Sequence, residues 1–91
     1  MDSKKYHVVY TKQSLKQLKK MDKFIARMIK DWLTKHLDDC ENPRIWGKPL
    51  SANRSDQWRY RIGDYRVLSI IEDDVVTVHV IEIGHRSDIY G

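Results

Sequence analysis

The feature that most constrains the fold is residues 58–67, WRYRIGDYRV. Two short runs rich in aromatic, isoleucine and valine residues flank a central Gly-Asp pair, and this pattern predicts a β-hairpin with a two-residue turn. A two-residue turn determines the pairing register, so Arg61 is expected to lie directly opposite Arg66. The faces of this hairpin can therefore be assigned residue by residue.

Three arginines fall on one face of the predicted hairpin. Arg61 and Arg66 lie opposite each other, and Arg59 is two residues before Arg61, so strand alternation places all three on the same side. Like charges placed directly across a hairpin oppose folding, so such a cluster indicates an anion to be bound. Phosphate is the anion that best fits the guanidinium fork.

The charge of the chain is unevenly distributed. The net charge is +4, but residues 1–54 carry +7 and residues 55–91 carry −3, and every lysine lies in the first part. Lysines on solvated helices create a general field that attracts polyanions, whereas arginines within strands are more often directed at one ligand. Nucleic acid is therefore a candidate partner, with lysine-rich helices that serve solubility alone as the alternative.

Length and composition indicate one small domain covering residues 1–91. The single cysteine, Cys40, excludes an internal disulfide and fits a reducing cytosol, so a cytoplasmic location is expected. The apolar runs are too short to cross a membrane, and the N-terminus does not resemble a signal peptide. The four histidines and the cysteine lack the spacing of metal ligands, so neither a metal nor a cofactor is expected.

The remaining pattern predicts the order β-α-α-β-β-β. Residues 6–10 resemble a strand, and Thr11 and Asp22 are candidate caps of two successive helices. An apolar stripe at helical spacing in residues 24–37 is interpreted as a core face. Residues 38–56 contain many turn formers and predict a long connection anchored on the core by Trp46, and strands follow at about 57–62, 65–71 and 75–83. The predicted fold class is α+β, an antiparallel sheet with a two-helix hairpin packed on one face.

This arrangement leaves the other face of the sheet uncovered. The face that carries Tyr60 is assigned to the helices, and the three arginines lie on the open face. If the acidic turn at 72–74 is also tight, Leu68 is expected to face His79, and Arg66 to face Ile81. The open face would then be a basic surface with an apolar floor, which suits a phosphate backbone with bases lying over it.

Three segments resemble the RelE/ParE toxin superfamily, and its RelE branch most of all. They are GKPL at 47–50, the hairpin WRYRIGDYRV, and residues 76–86 ending in GHR, followed by Tyr90. The resemblance implies a toxin of a type II toxin–antitoxin pair, with a cognate antitoxin, the ribosomal A site and mRNA as partners. It also implies cleavage of mRNA by attack of a ribose 2′-hydroxyl on the adjacent phosphate, with loss of the next 5′ oxygen.

The resemblance further implies roles for individual residues. Those expected to bind RNA are Lys48, Arg59, Arg61 and Arg66, and those expected to act in catalysis are Arg61, Arg66, Arg86 and Tyr90. His85 is added to the catalytic candidates on the chemistry of histidine and not on the resemblance. Phosphoryl transfer depends on positioning and charge stabilisation, which arginines supply, but arginine cannot accept the proton of the attacking hydroxyl. The candidates for that base are His85, because histidine ordinarily titrates near neutral pH, and Tyr90.

Two other functions are compatible with the same fold. One is a ParE-like toxin that binds DNA gyrase without nuclease chemistry. The other is a degenerate toxin that only binds its antitoxin, because some family members carry lysine at the positions of Arg59 and Arg61. A fold alone does not decide function, but the arginine face together with Arg86 and a terminal tyrosine favours the nuclease.

Overall fold

The computed structural model describes residues 4–51 and 54–89, which form a two-helix layer on one face of a five-stranded sheet. The elements are β1 (His7–Tyr10), α1 (Lys12–Lys20), α2 (Lys23–His36), a 3-10 helix (Pro43–Trp46), β2 (Gly47–Ser51), β3 (Arg54–Ile62), β4 (Tyr65–Glu72) and β5 (Thr77–His85). The strand order is β1-β5-β4-β3-β2. The predicted α+β class is confirmed. Within the described ranges, no helix is long and apolar enough to cross a membrane.

Both helices begin at the capping residues that the sequence predicts. The Thr11 hydroxyl accepts a hydrogen bond of 3.2 Å from the backbone N–H of Ser14. The Asp22 carboxylate accepts from the N–H groups of Phe24, at 2.8 Å, and Ile25. A side-chain cap of this kind contributes about 1 kcal/mol to helix stability, so the short break between α1 and α2 is encoded locally.

The core lies between the helices and the face of the sheet that was assigned to them. The buried positions of the first hairpin alternate as predicted, and they are Tyr60, Ile62, Val67, Ser69 and Ile71. The apolar stripe of α2 is only partly buried, because Leu33 is fully buried while Phe24 is 76% exposed. The two residues are nine positions apart, which is about half a turn around the helix axis at 3.6 residues per turn.

The sheet contains one strand more than the sequence predicts. β2 lies within the expected connection, where Gly47 and Pro49 weaken any local strand signal. Proline is tolerated here because β2 is an edge strand. At the other edge β1 pairs in parallel with β5, so the sheet is mixed and not antiparallel throughout.

The predicted register of the second hairpin is wrong. Leu68 pairs with Glu82 and not with His79, and Arg66 lies opposite Gly84, three residues beyond Ile81. The loop between β4 and β5 spans residues 73–76 instead of two residues, and a bulge follows in the ladder.

Long-range contacts to Asp73 hold this wider loop. Its carboxylate accepts a hydrogen bond of 2.6 Å from the Tyr6 hydroxyl and two more from the Arg44 guanidinium, at 3.1 and 3.0 Å. The bonds from Arg44 and then from Tyr6 lower the pKa of Asp73. The loop ends at Val76, whose φ of 49° is unusual for a β-branched residue. The turn is therefore determined by contacts distant in sequence.

Candidate functional site

Two like-charged pairs lie side by side on the open face of the sheet. Arg61 pairs directly with Arg66, as the sequence predicts, and β2 adds a second pair, Lys48 with Arg59. Each pair places two cations opposite each other, an arrangement that disfavours the sheet. An anion bound between the two pairs would relieve that repulsion.

These cations line a cleft of about 720 Å³. The structure brings together all five lysine and arginine residues that the sequence predicts for the site. The lining is formed by Ile45, Trp46, Gly47, Lys48, Arg59, Arg61, Arg66, Arg86, Ser87 and Ile89. Guanidinium and ammonium groups do not ligate metals, and the described residues contain no cluster of three or more side chains suited to a metal ion. The cleft is suited to anions.

The orientation of Arg66 is set by the hairpin turn. Gly63 has a φ of 58° and lets the chain reverse in two residues. The Arg66 guanidinium donates hydrogen bonds to the carbonyl oxygens of Gly63, at 3.1 Å, and Tyr65, at 3.0 Å. Desolvation, followed by repulsion from Arg61 and the other two arginines of the cleft, lowers the pKa of Arg66. The guanidinium remains cationic and is held where further positive charge is unfavourable.

The tail after β5 folds back over the open face and completes the cleft. The backbone N–H of Arg86 donates to the carbonyl oxygen of Asp64 at 2.7 Å, which ties the tail to the first turn. Ile89 is 6% exposed and packs against Gly84, where an added Cβ would lie 2.9 Å from its Cδ1 atom. Because Gly84 has no side chain, Ile89 can pack against it. The packed tail in turn holds Arg86 at the cleft.

The prediction that Trp46 anchors the connection in the core is wrong. Trp46 is 46% exposed and lines the cleft, with its ring centroid 4.7 Å from that of His36. Trp58 is the tryptophan that fastens this segment, because its Nε1–H donates to the carbonyl oxygen of Arg44 at 3.1 Å. Trp46 and Ile45 are site residues that the sequence did not predict, although both directly precede the GKPL motif.

His85, one of the two candidate bases, does not line the cleft. His85 pairs with Tyr65, which packs against the core, so alternation directs His85 away from the open face. Its ring is 5.4 Å from that of Tyr65, and its Nδ1 is 2.9 Å from the Ser87 hydroxyl oxygen. Tyr90 lies outside the described residues.

The helix-backed sheet and the cationic cleft on its open face define a small α+β protein suited to binding a phosphate polyanion. Comparison with known sequences makes this specific. The chain belongs to the ParE toxin family of type II toxin–antitoxin systems (parDE), which matches residues 8–90.

Individual relatives agree with the RelE/ParE superfamily that the sequence predicts. Toxin RelE of Mycobacterium tuberculosis is 33% identical over 89 residues, covering 98% of this chain and 90% of the relative. Toxin RelG of the same organism is 31% identical over 85 residues, covering 93% and 95%. Among solved structures, the RelBE2 toxin–antitoxin complex of M. tuberculosis matches with a TM-score of 0.80 at 28% identity, covering 96% of this chain and 98% of that chain. The isolated Escherichia coli RelE toxin matches with a TM-score of 0.71 at 25% identity, covering 88% and 83%. The predicted superfamily and fold are confirmed.

Proposed function

We propose that this protein is an endoribonuclease that cuts mRNA in the ribosomal A site and so inhibits translation in the cytoplasm. The observation that carries the proposal is the convergence of Lys48, Arg59, Arg61, Arg66 and Arg86 on one cleft. Two of these residues come from β3 and one each from β2, β4 and the tail. A fold that assembles cations from four segments against their repulsion is well suited to a phosphate backbone.

In the proposed reaction the ribose 2′ oxygen attacks the adjacent phosphorus, and the bond to the 5′ oxygen of the next nucleotide breaks. Arg61 and Arg66 hold the non-bridging oxygens, and Arg86 stabilises the charge that develops on the departing oxygen. Catalysis then rests on positioning and electrostatic stabilisation. Removing one such donor typically costs about 10²- to 10³-fold in rate.

The Lys48–Arg59 pair supports binding of a neighbouring phosphate. Lys48 and Arg59 are paired two residues along β3 from the Arg61–Arg66 pair, a separation of about 7 Å along the strand. This pair contributes affinity and register more than chemistry, because it lies beside the reacting phosphate. Binding is therefore expected to weaken steeply with salt.

The proton that leaves the 2′-hydroxyl needs an acceptor that the guanidinium groups cannot provide. Tyr90 and His85 remain the two sequence-based candidates for this role. Tyr90 has a further candidate role, stacking on a base or holding the 2′-hydroxyl. The pH dependence of variants at both positions separates these possibilities.

The partner that neutralises the protein is proposed to be a cognate antitoxin. Two of the similar structures support this, since the M. tuberculosis RelBE2 structure and the intact E. coli RelBE structure are both toxin–antitoxin complexes. The second of these matches with a TM-score of 0.70 at 25% identity.

Primer extension on mRNA after pulsed expression tests the nuclease activity. The wild type should produce cuts within translated codons, and Arg66→Ala and Arg86→Ala should abolish them without loss of folding by circular dichroism. Arg27→Ala is the matched control, because Arg27 is an exposed arginine of α2 that does not line the cleft. It should cut like the wild type.

The alternative function is that of a ParE-like toxin acting on DNA gyrase, and the ParE description of the matching family favours it. Absence of mRNA cuts, together with DNA breaks that depend on gyrase, would replace the nuclease proposal with this one.

A further inference from the structure

Trp46 is a large aromatic side chain that lines the cleft beside its cations. Nearly half of it is exposed, and it lines the same cleft as Arg59 and Arg61. The backbone directly after it is closely confined, because a Cβ at Gly47 would collide with the carbonyl oxygen of Arg59 and approach Tyr60 to 2.8 Å. The segment that carries Trp46 is therefore pressed against β3.

A ladder of rings supports Trp46 from the helix side. Its ring meets His36 at 72°, with the centroids 4.7 Å apart. His36 in turn stacks on Trp32 with ring centroids 4.2 Å apart, and the Trp32 centroid lies 6.0 Å from that of the fully buried Tyr60. The Nδ1 of His36 is 3.0 Å from the carbonyl oxygen of Trp32, which restrains the His36 ring. The exposed surface of Trp46 is thus held in place before any ligand binds, which lowers the entropy cost of binding.

We propose that Trp46 is the platform on which one base of the bound RNA stacks. The inference rests on the proposed function, because it requires RNA in the cleft. The two like-charged pairs hold phosphates, whereas the indole ring and neighbouring Ile45 offer an apolar surface that phosphates avoid and bases prefer. The cationic side chains then contact the phosphate of a nucleotide, and the indole ring contacts its base.

This role makes a definite prediction about selectivity. Stacking on an aromatic ring tolerates any base, since every base has a π-face. Trp46 is therefore expected to require the presence of a base at one position of the codon without specifying its identity. Its removal should weaken cleavage at all codons by similar factors.

A double-mutant cycle between Trp46 and the RNA tests the proposal. The substrates are ribosomes programmed with mRNA whose A-site codon carries an intact base or an abasic nucleotide at each of the three positions in turn. Trp46→Ala should reduce kcat/KM on the intact codon about 5- to 150-fold, the range for loss of one stacked base. At one codon position, the abasic change should cost the wild type a similar factor and cost Trp46→Ala almost nothing.

Two further variants guard the interpretation. Trp46→Phe keeps an aromatic face and should retain most of the activity. Phe24→Ala removes an aromatic residue that is 76% exposed on α2 and does not line the cleft, so it should cleave like the wild type. Each variant is compared with itself on intact and abasic substrates, so a partial loss of folded protein cancels.

The proposal is overturned if the effects of Trp46→Ala and of the abasic changes multiply independently at all three positions. It is also overturned if Trp46→Ala cuts at the wild-type rate while losing affinity for the antitoxin, which would make Trp46 a protein contact. A wild-type protein that cuts no programmed ribosome would instead refute the proposed nuclease function, and the two failures are therefore distinct.

Discussion

Replacing Arg61 with glutamine is expected to stabilise the fold while it abolishes cleavage. Arg61 is exposed and directly opposite Arg66, so its removal eliminates one of the two like-charged pairs across the sheet. Arg66 is a less clean choice, because it also donates to the carbonyl oxygens of Gly63 and Tyr65. Glutamine keeps a polar side chain at position 61 and removes the charge together with the guanidinium fork.

The size of the effect follows from the geometry of the pair. Unit charges at about 5 Å, the usual Cβ spacing of directly opposed residues, repel in water by about 0.8 kcal/mol. Cross-strand pairs measured in sheets contribute about 0.2–1 kcal/mol. In a domain of this size, about 1 kcal/mol corresponds to about 4–8 °C in Tm. The expected rise for Arg61→Gln is therefore about 1–8 °C at low salt. It should shrink as salt screens the pair, since the Debye length falls from about 10 Å at 0.1 M to about 3 Å at 1 M.

Thermal denaturation followed by circular dichroism measures this directly, at low and high salt. Arg27→Gln on α2 is the control, because it removes the same charge away from the cleft. Added inorganic phosphate at constant ionic strength should raise the Tm of the wild type more than that of Arg61→Gln, since phosphate binds the folded cleft. Cleavage by Arg61→Gln is followed on the same preparation by primer extension.

A Tm that falls in Arg61→Gln at low salt would refute the reasoning, because the cluster would then be a source of stability. A rise that persists unchanged at high salt would also refute it, since the cause could not be electrostatic repulsion. Equal stabilisation by Arg27→Gln would show that net charge matters and the pairing does not.

Three further changes test other parts of the structure. Asp73→Asn should lower stability to urea at pH 6 and converge with the wild type in acid; the folded-state pKa of Asp73 is lowered, mainly by Arg44, so its contribution is present above about pH 3.9 and fades as pH falls through the folded value. A gap that does not narrow as the pH is lowered would contradict this. Gly84→Ala should lower the free energy of unfolding by about 1–3 kcal/mol, because the added methyl group displaces Ile89. Cleavage should fall by more than the loss of folded protein explains, and unchanged cleavage would show that the packing of Ile89 on Gly84 is not needed to position the tail. His85→Ala should leave the pH–rate profile of cleavage unaltered, because the residue faces away from the cleft, and loss of a limb of that profile in this variant but not in Tyr90→Phe would identify the histidine as the base.

The first hairpin could be predicted in detail because its determinants are adjacent in sequence. Gly63 adopts a φ of 58°, the turn has two residues, and Arg61 faces Arg66 as the turn length requires. The alternation of apolar and basic residues then determines which face meets the helices. Turn chemistry and side-chain periodicity are local properties, so they can be predicted from the sequence alone.

The second hairpin was not predictable from its own residues. An acidic turn offers several lengths, and the observed one depends on contacts from Tyr6 and Arg44 to Asp73, which are 67 and 29 residues away. The resulting shift brings Gly84 opposite Arg66, and that glycine gives Ile89 its place on the open face. A local turn preference could not have revealed this.

Strand β2 carries no local signal, since Gly47 and Pro49 are poor strand formers. It exists because β3 offers an edge to pair with, and the approach is close because position 47 has no side chain. This pairing puts Lys48 beside Arg59 and brings Trp46 into the cleft. The place of Trp46 in the cleft therefore depends on a strand pairing that its own segment does not predict.

The sequence by itself determined that arginines gather on one face of a hairpin, because a two-residue turn and a period of two leave no alternative. The apolar residues of the other face indicated where the helices pack. Only the tertiary structure decided how residues from other segments are arranged around them. Lys48 and Arg86, which the family resemblance implied, enter the cleft together with Trp46, and His85 does not, since strand pairing and tail packing depend on contacts between segments far apart in the chain. The cluster of cations was encoded locally, whereas the cleft around it was assembled by the fold.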